Sequence, residues 1–367
     1  MRKRIAILGS TGSIGQQTLE VARAFPHKLE VVALAAGNNL TLLKQQVQEF
    51  KPKLVSCQTI QGSPSMEEIA GHPDIDLVNV ATSGKAGLLP TMAAIRAKKI
   101  VALANKEALV SAGRIVMAEA RKHNVEIRPV DSEHSAIWQC LQGEESNRIA
   151  QIILTASGGP FRNRSKEELA GVTAEQALRH PTWKMGRKVT IDSANLMNKG
   201  MEVIEAHWLF GVPFDKIKVM VHPGSIIHSM VEFTDGSVKA QLGMPDMRLP
   251  IQYAISHPER WANPNLPRLD FTQPNSLPLE PVNMERYPCL RLAFEAGKKG
   301  NTYPAVLSAA DEVAVERFLD GKIGFPDIPK MLEDVLEKHK GVPDPTLEDI
   351  LAADAWAREA AKGWMPK

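Results

Sequence analysis

Short, continuous apolar runs alternate with helix-period segments through the first third of the chain. Ile5 to Leu8 has the pattern of a strand buried on both faces, followed by a glycine turn from Gly9 to Gly15 and a helical segment carrying Leu19, Ala22 and Phe25. The alternation continues with a strand at Leu29 to Ala35, a helix marked by Leu40, Leu43 and Val47, and strands at Leu54 to Cys57 and Ile75 to Ala81. A helix over Leu88 to Ala97, a strand at Ile100 to Ala104, a helix over Ala108 to His123 and a strand at Glu126 to Val130 complete the series. Strand and helix in strict turn, joined by short links, predict a doubly wound parallel sheet of Rossmann type.

The rhythm changes after residue 130. Ile149 to Thr155 and Val189 to Ile191 have strand character, the latter ending at Asp192 and Ser193. A short helix to Phe210 and a strand at Ile217 to Val221 precede Ile226 to Thr234 and Val238 to Leu242, which flank Asp235-Gly236 as a hairpin would. Ser165 with Glu168, Thr173 with Gln176, and Thr346 with Asp349 mark helix starts. Between Pro250 and Pro288 the periodicity fades under proline, including Pro274, which predicts a connector that crosses the molecule. The period then turns helical at Leu307, Ala310, Ala314 and Phe318, at Met331, Leu332, Val335 and Leu336, and at Leu347, Ile350 and Leu351. The expected organisation is a dinucleotide-binding domain over 1–130, an α+β catalytic domain with a lid loop over 131–247, a proline-rich connector over 248–283 and a helical bundle over 284–367.

Composition narrows the function classes. The 367 residues are 44% apolar and 23% charged, enough for a sizeable core. Net charge is +2, from 44 basic and 42 acidic residues without blocks, which gives no support for nucleic-acid or membrane-surface binding. Cys57, Cys140 and Cys289 are scattered and in no C-x-x-C spacing, which suits a reducing compartment and argues against zinc. No apolar stretch approaches the roughly 20 residues of a membrane-spanning helix, so a cytoplasmic protein is expected.

Chemistry gathers around these elements. A Gly9-x-x-Gly12-x-x-Gly15 loop between strand and helix is the context in which backbone N–H groups and a helix N-terminus meet a pyrophosphate. The second strand ends in Ala35-Ala36-Gly37-Asn38-Asn39 with no acid to repel a 2′-phosphate, which leans toward NADP. Asn105, Lys106 and Glu107 follow the Ile100 to Ala104 strand, where side chains face a ligand crevice; a helix start is the plainer alternative. Asp131, Ser132 and Glu133 could equally begin a helix, but a third carboxylate, Glu202, arrives with Asn198 and Lys199. Oxygen ligands of this kind suit Mg²⁺ or Mn²⁺. Ser157, Ser193, Asn198 and Lys199 are the types that collect around a phosphate monoester, and Gly158-Gly159 could expose backbone N–H groups to an anion. The loop from His180 through Pro181, Trp183, Lys184 and Met185 to Gly186 is a candidate lid.

Gly9 to Gly15, Asn105 to Glu107, Val130 to His134, Ser157 to Phe161, His180 to Lys188 and Asp192 to Glu202 occur in one order along essentially the whole chain, and in that order it resembles the 1-deoxy-D-xylulose 5-phosphate reductoisomerases. The resemblance implies that Asp131, Glu133 and Glu202 ligate a divalent cation and, with Lys106, form the catalytic set. It implies that Lys106, Ser132, Glu133 and Glu202 meet the reacting part of a sugar phosphate whose phosphate end lies among Ser157, His180, Ser193, Asn198 and Lys199. Thr11, Gly12, Ser13, Ile14, Gly37, Asn38, Asn39, Asn105, Glu107 and Gly186 would line the NADPH site, with His180, Trp183 and Met185 in the lid. Some members carry a basic residue where this chain has Asn38. The implied reaction is rearrangement, by retroaldol cleavage and recombination, to a branched aldehyde phosphate that NADPH reduces to 2-C-methyl-D-erythritol 4-phosphate, in a homodimer. Two other readings are a different NADP-dependent oxidoreductase on a related scaffold, such as a semialdehyde or homoserine dehydrogenase, and a cofactor-binding regulatory module. The former is weakened by the absence of a cysteine nucleophile in these segments. The latter is weakened by three clustered carboxylates that a binding module would have to neutralise.

Overall fold

The computed structural model describes residues 2–145, 148–165, 167–180, 182–183, 185–272 and 276–366; Pro181 and Lys184 of the lid segment and Pro274 of the proline-rich stretch lie outside them. The chain divides into two compact units, one of residues 1–108, 116–138 and 246–269, the other of residues 109–115, 139–245 and 270–367.

In the first unit, β1 (Lys3–Leu8), α1 (Ser13–Ala24), β2 (Leu29–Ala36), α2 (Leu40–Phe50), β3 (Leu54–Cys57), α3 (Met66–Gly71), β4 (Leu77–Val80), α4 (Leu88–Arg96), β5 (Ile100–Leu103), α5 (Lys106–His123), β6 (Ile127–Pro129) and α6 (Ser132–Cys140) follow one another. The strands form one sheet in the order β3-β2-β1-β4-β5-β6, every pair parallel. Strand order therefore reverses between β1 and β4, and ligands of such sheets bind beyond the carboxyl ends at that reversal. Ile5, Ile7 and Leu34 from the sheet and Leu19 and Ala22 from α1 share one core. Within residues 2–145, α3, capped by Ser65 and Glu68, has no counterpart in the sequence pattern; at six residues it is too short to show a period.

The second unit is built on β7 (Ile149–Ala156), the short α7 (Ala174–Ala177), α8 (Arg187–Asn195), α9 (Met197–Phe210), β8 (Ile217–Val221), β9 (Ile227–Phe233) and β10 (Val238–Leu242). The expected strand at Val189 to Ile191 is instead the middle of helix α8. Three β-branched residues favour a strand locally, but Ile191, Ala194, Met197 and Met201 enter one core at helical spacing, and tertiary packing overrides the preference. The predicted hairpin is present as antiparallel β9 and β10.

A return to the first unit follows. The proline-rich stretch carries α10 (Arg248–Ser256), whose Ile251, Ala254 and Ile255 pack into the same core as α1, so its first part is a sheet-covering helix where a connector was expected. Beyond it, β11 (Glu280–Pro281) closes a five-stranded sheet in the order β10-β9-β7-β8-β11. Helices α11 (Pro288–Lys299), α12 (Tyr303–Leu319), α13 (Asp327–Lys338) and α14 (Leu347–Lys362) end the chain, with Thr346 capping α14 as expected. They do not stand apart: Leu292, Val306, Leu307 and Met331 share their core with Ile191 and Met201 of α8 and α9. Among the described residues no helix is long and apolar enough to cross a membrane.

Candidate active-site residues

The first unit presents a helix N-terminus to solvent. Gly12 caps α1 without a side-chain hydrogen bond, and Gly12 and Ser13 are exposed, so the first N–H groups of the helix lack an internal side-chain acceptor. The turn itself leaves no room for side chains at two positions. A Cβ at Gly9, where φ is +90°, would lie 2.5 Å from the Ala81 carbonyl oxygen, and one at Gly15 would lie 2.2 Å from that of Gly9. Ser10 fastens the loop from below: its hydroxyl donates to Gln46 Oε1 at 2.8 Å, and Gln46 Nε2 donates back to its carbonyl at 2.9 Å. Neither residue stands out in the sequence, because a Ser and a Gln thirty-six positions apart give no local signal. Such a cradle fits a pyrophosphate.

At the end of β2, Gly37, Asn38 and Asn39 are exposed. Asn39 caps α2 by accepting from the Leu42 amide at 3.1 Å, while the Cys57 thiol lies 3.0 Å from the Gly37 carbonyl. Asn105 is buried and its side chain is engaged on all sides. It caps α5 through Ala108 N at 3.0 Å and donates to the carbonyls of Thr82 and Gly84 and to Glu107 Oε2. The helix-start reading therefore holds for Asn105. Lys106 instead reaches Asp131, Nζ to Oδ2 2.5 Å, across the ends of β5 and β6. One residue on, the Ser132 hydroxyl donates to Glu133 Oε2 at 2.7 Å in the first turn of α6.

In the second unit, Ser157, His180 and Ser193 form one hydrogen-bonded group. His180 Nε2 is 3.1 Å from the Ser157 hydroxyl and 3.1 Å from that of Ser193. The other ring nitrogen accepts from the backbone N–H groups of Thr182 and Trp183, at 3.1 and 2.9 Å. An acceptor at Nδ1 places the proton of the neutral ring on Nε2, so two hydroxyls and one ring N–H converge with no carboxylate among them. Such a group suits an anion. Burial lowers the His180 pKa to about 4, so the ring stays neutral near neutrality. Gly158 and Gly159 adopt positive φ, and a Cβ at Gly159 would lie 2.6 Å from the Ser193 carbonyl, which is how the Ser157 turn comes so close to α8.

The stability contribution of His180 has a definite sign. Its folded pKa lies below the ordinary 6.5, so the contribution is complete above pH 6.5 and is lost as pH falls toward 4. An NMR titration of the His180 ring is expected to show a midpoint near 4. A midpoint at the ordinary histidine value would refute the buried, neutral ring.

Leu196, in the left-handed region at φ 61°, joins α8 to α9 and places Asn198 and Lys199 just past the corner from Ser193. Asn198 Nδ2 donates to Glu202 Oε1 at 2.5 Å, and the Lys199 ammonium bonds Glu202 Oε2. Lys199 and Glu202 are both buried. Trp183 lies 6.2 Å from the His228 ring, and Gly186, the exposed cap of α8, has nothing within 4 Å of a Cβ position. The donor set implied by the sequence resemblance, Asp131, Glu133 and Glu202, is all oxygen, the kind a hard divalent cation takes. Both Asp131 and Glu202 already hold a cationic partner in their own unit.

Family models for 1-deoxy-D-xylulose 5-phosphate reductoisomerase match residues 5–63 and 55–113, one for its C-terminal domain matches 127–210, and one for the DXP reductoisomerase C-terminal domain matches 242–360. The reductoisomerase of Desulforamulus reducens is 54% identical, covering 98% of both chains, and that of Shouchella clausii is 52% identical, covering 97% of this chain and 99% of its own. The Zymomonas mobilis reductoisomerase in complex with NADPH superposes with a TM-score of 0.90 at 42% identity, covering 98% of each chain. A reductoisomerase in complex with NADPH, fosmidomycin and magnesium superposes with a TM-score of 0.92 at 36% identity, over 98% of this chain and 97% of its own.

Proposed function

The chain belongs to the 1-deoxy-D-xylulose 5-phosphate reductoisomerase family, and from that premise we propose how its residues divide the work of isomerising 1-deoxy-D-xylulose 5-phosphate and reducing the product with NADPH. The product is 2-C-methyl-D-erythritol 4-phosphate, an isoprenoid precursor of the non-mevalonate route. Residues 1–130 hold the cofactor, with its pyrophosphate over Thr11, Gly12, Ser13 and Ile14 and its adenosine ribose near Gly37, Asn38 and Asn39. Gly186 and the backbone around Asn105 and Glu107 line the nicotinamide end. Residues 131–247 carry the metal and substrate groups.

The observation that carries this reading is the convergence of Ser157, His180 Nε2–H and Ser193, which offers donors alone to a phosphate. Asn198 and Lys199, past the α8–α9 corner, add an amide and an ammonium. Lys106 and Ser132 donate to the substrate oxygens at the reacting end. Asp131, Glu133 and Glu202 would hold Mg²⁺ or Mn²⁺, which supplies Lewis-acid polarisation of those oxygens. Trp183 and Met185 close over the bound substrate and exclude water. The exposed edge strand β10, with Val238 and Ala240 facing solvent, supports pairing of two copies as a cytoplasmic homodimer.

The test is NADPH oxidation, followed by absorbance, with 1-deoxy-D-xylulose 5-phosphate and either metal, on a sample whose mass is read by sedimentation. Metal-dependent oxidation by a species of twice the 40.3 kDa chain mass is expected. NADPH binding without consumption would overturn the activity, and an active monomer would overturn the dimer alone.

A further inference from the structure

The first turn of α8 is held by a buried ion cluster that the substrate-binding arrangement leaves unexplained. Lys188 Nζ lies 2.6 Å from Asp192 Oδ2, one helical turn along, and 2.7 Å from Asp311 Oδ2 on α12. It also lies 3.7 Å from Met201 Sδ on α9, so three helices meet at one ammonium. The Asp192 side chain is 2% exposed and that of Asp311 is fully buried, while that of Lys188 keeps 22% of its surface exposed. The neighbouring Cys289 is wholly buried too, and burial with the two aspartates holds its thiol far above the ordinary range.

Local helix physics does not favour this arrangement. A cation in the first turn of a helix opposes the helix dipole. A buried ion pair is seldom worth more than well-packed apolar side chains of the same volume, though it fixes geometry more narrowly. A local rule broken by a cation held between two buried aspartates points to a tertiary role. What the cluster fixes is specific: Lys188 lies two residues past Gly186, where the lid ends in open space, and five residues before Ser193 on the same helix.

We infer that Lys188 and Asp311 are a positioning pair that clamps the N-terminal end of α8 to α12, keeping Ser193 in register with the substrate phosphate. Asp192 braces the same ammonium from within α8. Neither Lys188 nor Asp311 touches substrate; they act through Ser193, and the inference rests on the phosphate-binding reading of that residue.

The experiment compares Asp311→Asn, the uncharged triple variant Lys188→Met/Asp192→Asn/Asp311→Leu, and Ser193→Ala in the enzyme with NADPH and Mg²⁺. Three quantities are read on the folded fraction: KM for 1-deoxy-D-xylulose 5-phosphate, inhibition by inorganic phosphate, and the NADPH Kd. Asp311→Asn is expected to raise KM and weaken phosphate inhibition by about ten- to a hundredfold, as a small misplacement of a positioned group does, with the NADPH Kd within about twofold. Should Asp311→Asn fail to fold, the uncharged triple variant, which leaves no carboxylate of the cluster without its cation, is expected to fold and show the same rise. A normal KM and normal phosphate inhibition in whichever of these two variants folds would mean the cluster is only structural, and would overturn the inference. If Ser193→Ala itself leaves phosphate inhibition unchanged, the phosphate-binding reading falls first and takes this inference with it.

Discussion

Glu202→Gln is expected to lower turnover by about 10²- to 10⁴-fold, the range set by several kcal/mol of lost metal stabilisation of the reacting oxygens. The substitution keeps the shape of a side chain that is 1% exposed on α9 and removes its charge. Two effects follow, and they separate. Lys199, bonded to Glu202 and itself buried, loses its counterion, which for a buried pair costs about 3–5 kcal/mol of stability. On the proposed ligand set, the metal would also lose one of its three carboxylates. Calorimetric titration with Mn²⁺ in the presence of NADPH reads the second effect directly. Affinity is expected to fall at least as far as the ten- to hundredfold that disturbing an outer partner of a metal site costs. NADPH binding, which the proposed function assigns to the cradle of the first unit, is expected to hold. A folded Glu202→Gln enzyme with native metal affinity would remove Glu202 from the ligand set, whatever its turnover.

The parts of this molecule that were legible in the sequence are those whose signal is local. β1, its glycine turn and α1 read directly because a strand buried on both faces is a continuous apolar run and the helix behind it has its own period. Asn198, Lys199 and Glu202 read as a group because they arrive together in one short run; the structure adds that they share one face of α9, where Glu202 is bonded by both. Val189-Thr190-Ile191 misled because three β-branched residues dominate a short window, whereas the buried contacts that keep them helical come from α11 and α12, a hundred residues on. α10 was masked by the prolines around it, although Pro250 sits near its first turn, where a missing N–H costs nothing. The Ser10–Gln46 and Lys188–Asp311 pairs could not be read at all. Each joins residues that only the fold makes neighbours.

The glycine loop yields the other large effect. Gly15→Ala is expected to abolish measurable NADPH binding and destabilise the first unit by about 1–3 kcal/mol, the usual cost of forced overpacking. The new Cβ would lie 2.2 Å from the Gly9 carbonyl oxygen and 2.6 Å from Ser10 Cα, and backbone cannot rotate aside as a side chain does. Nor can the loop retreat. Gly9 is already against the Ala81 carbonyl, both Gly9 N and Ser10 N donate to Ala35 O at 2.8 Å, and Ser10 is bonded to Gln46. Gly12→Ala separates packing from cofactor approach. Its φ of −76° is ordinary, and its Cβ would meet the Gly9 oxygen at 3.3 Å, a tight contact but a much milder one than the 2.2 Å at Gly15, so stability should fall far less than in Gly15→Ala. The added methyl would project at the open start of α1, where the pyrophosphate must come close to backbone N–H groups. Fluorescence titration with NADPH is therefore expected to show weakened binding in a Gly12→Ala protein whose denaturant midpoint lies well above that of Gly15→Ala. Undiminished NADPH affinity in that variant would place the pyrophosphate away from this helix end.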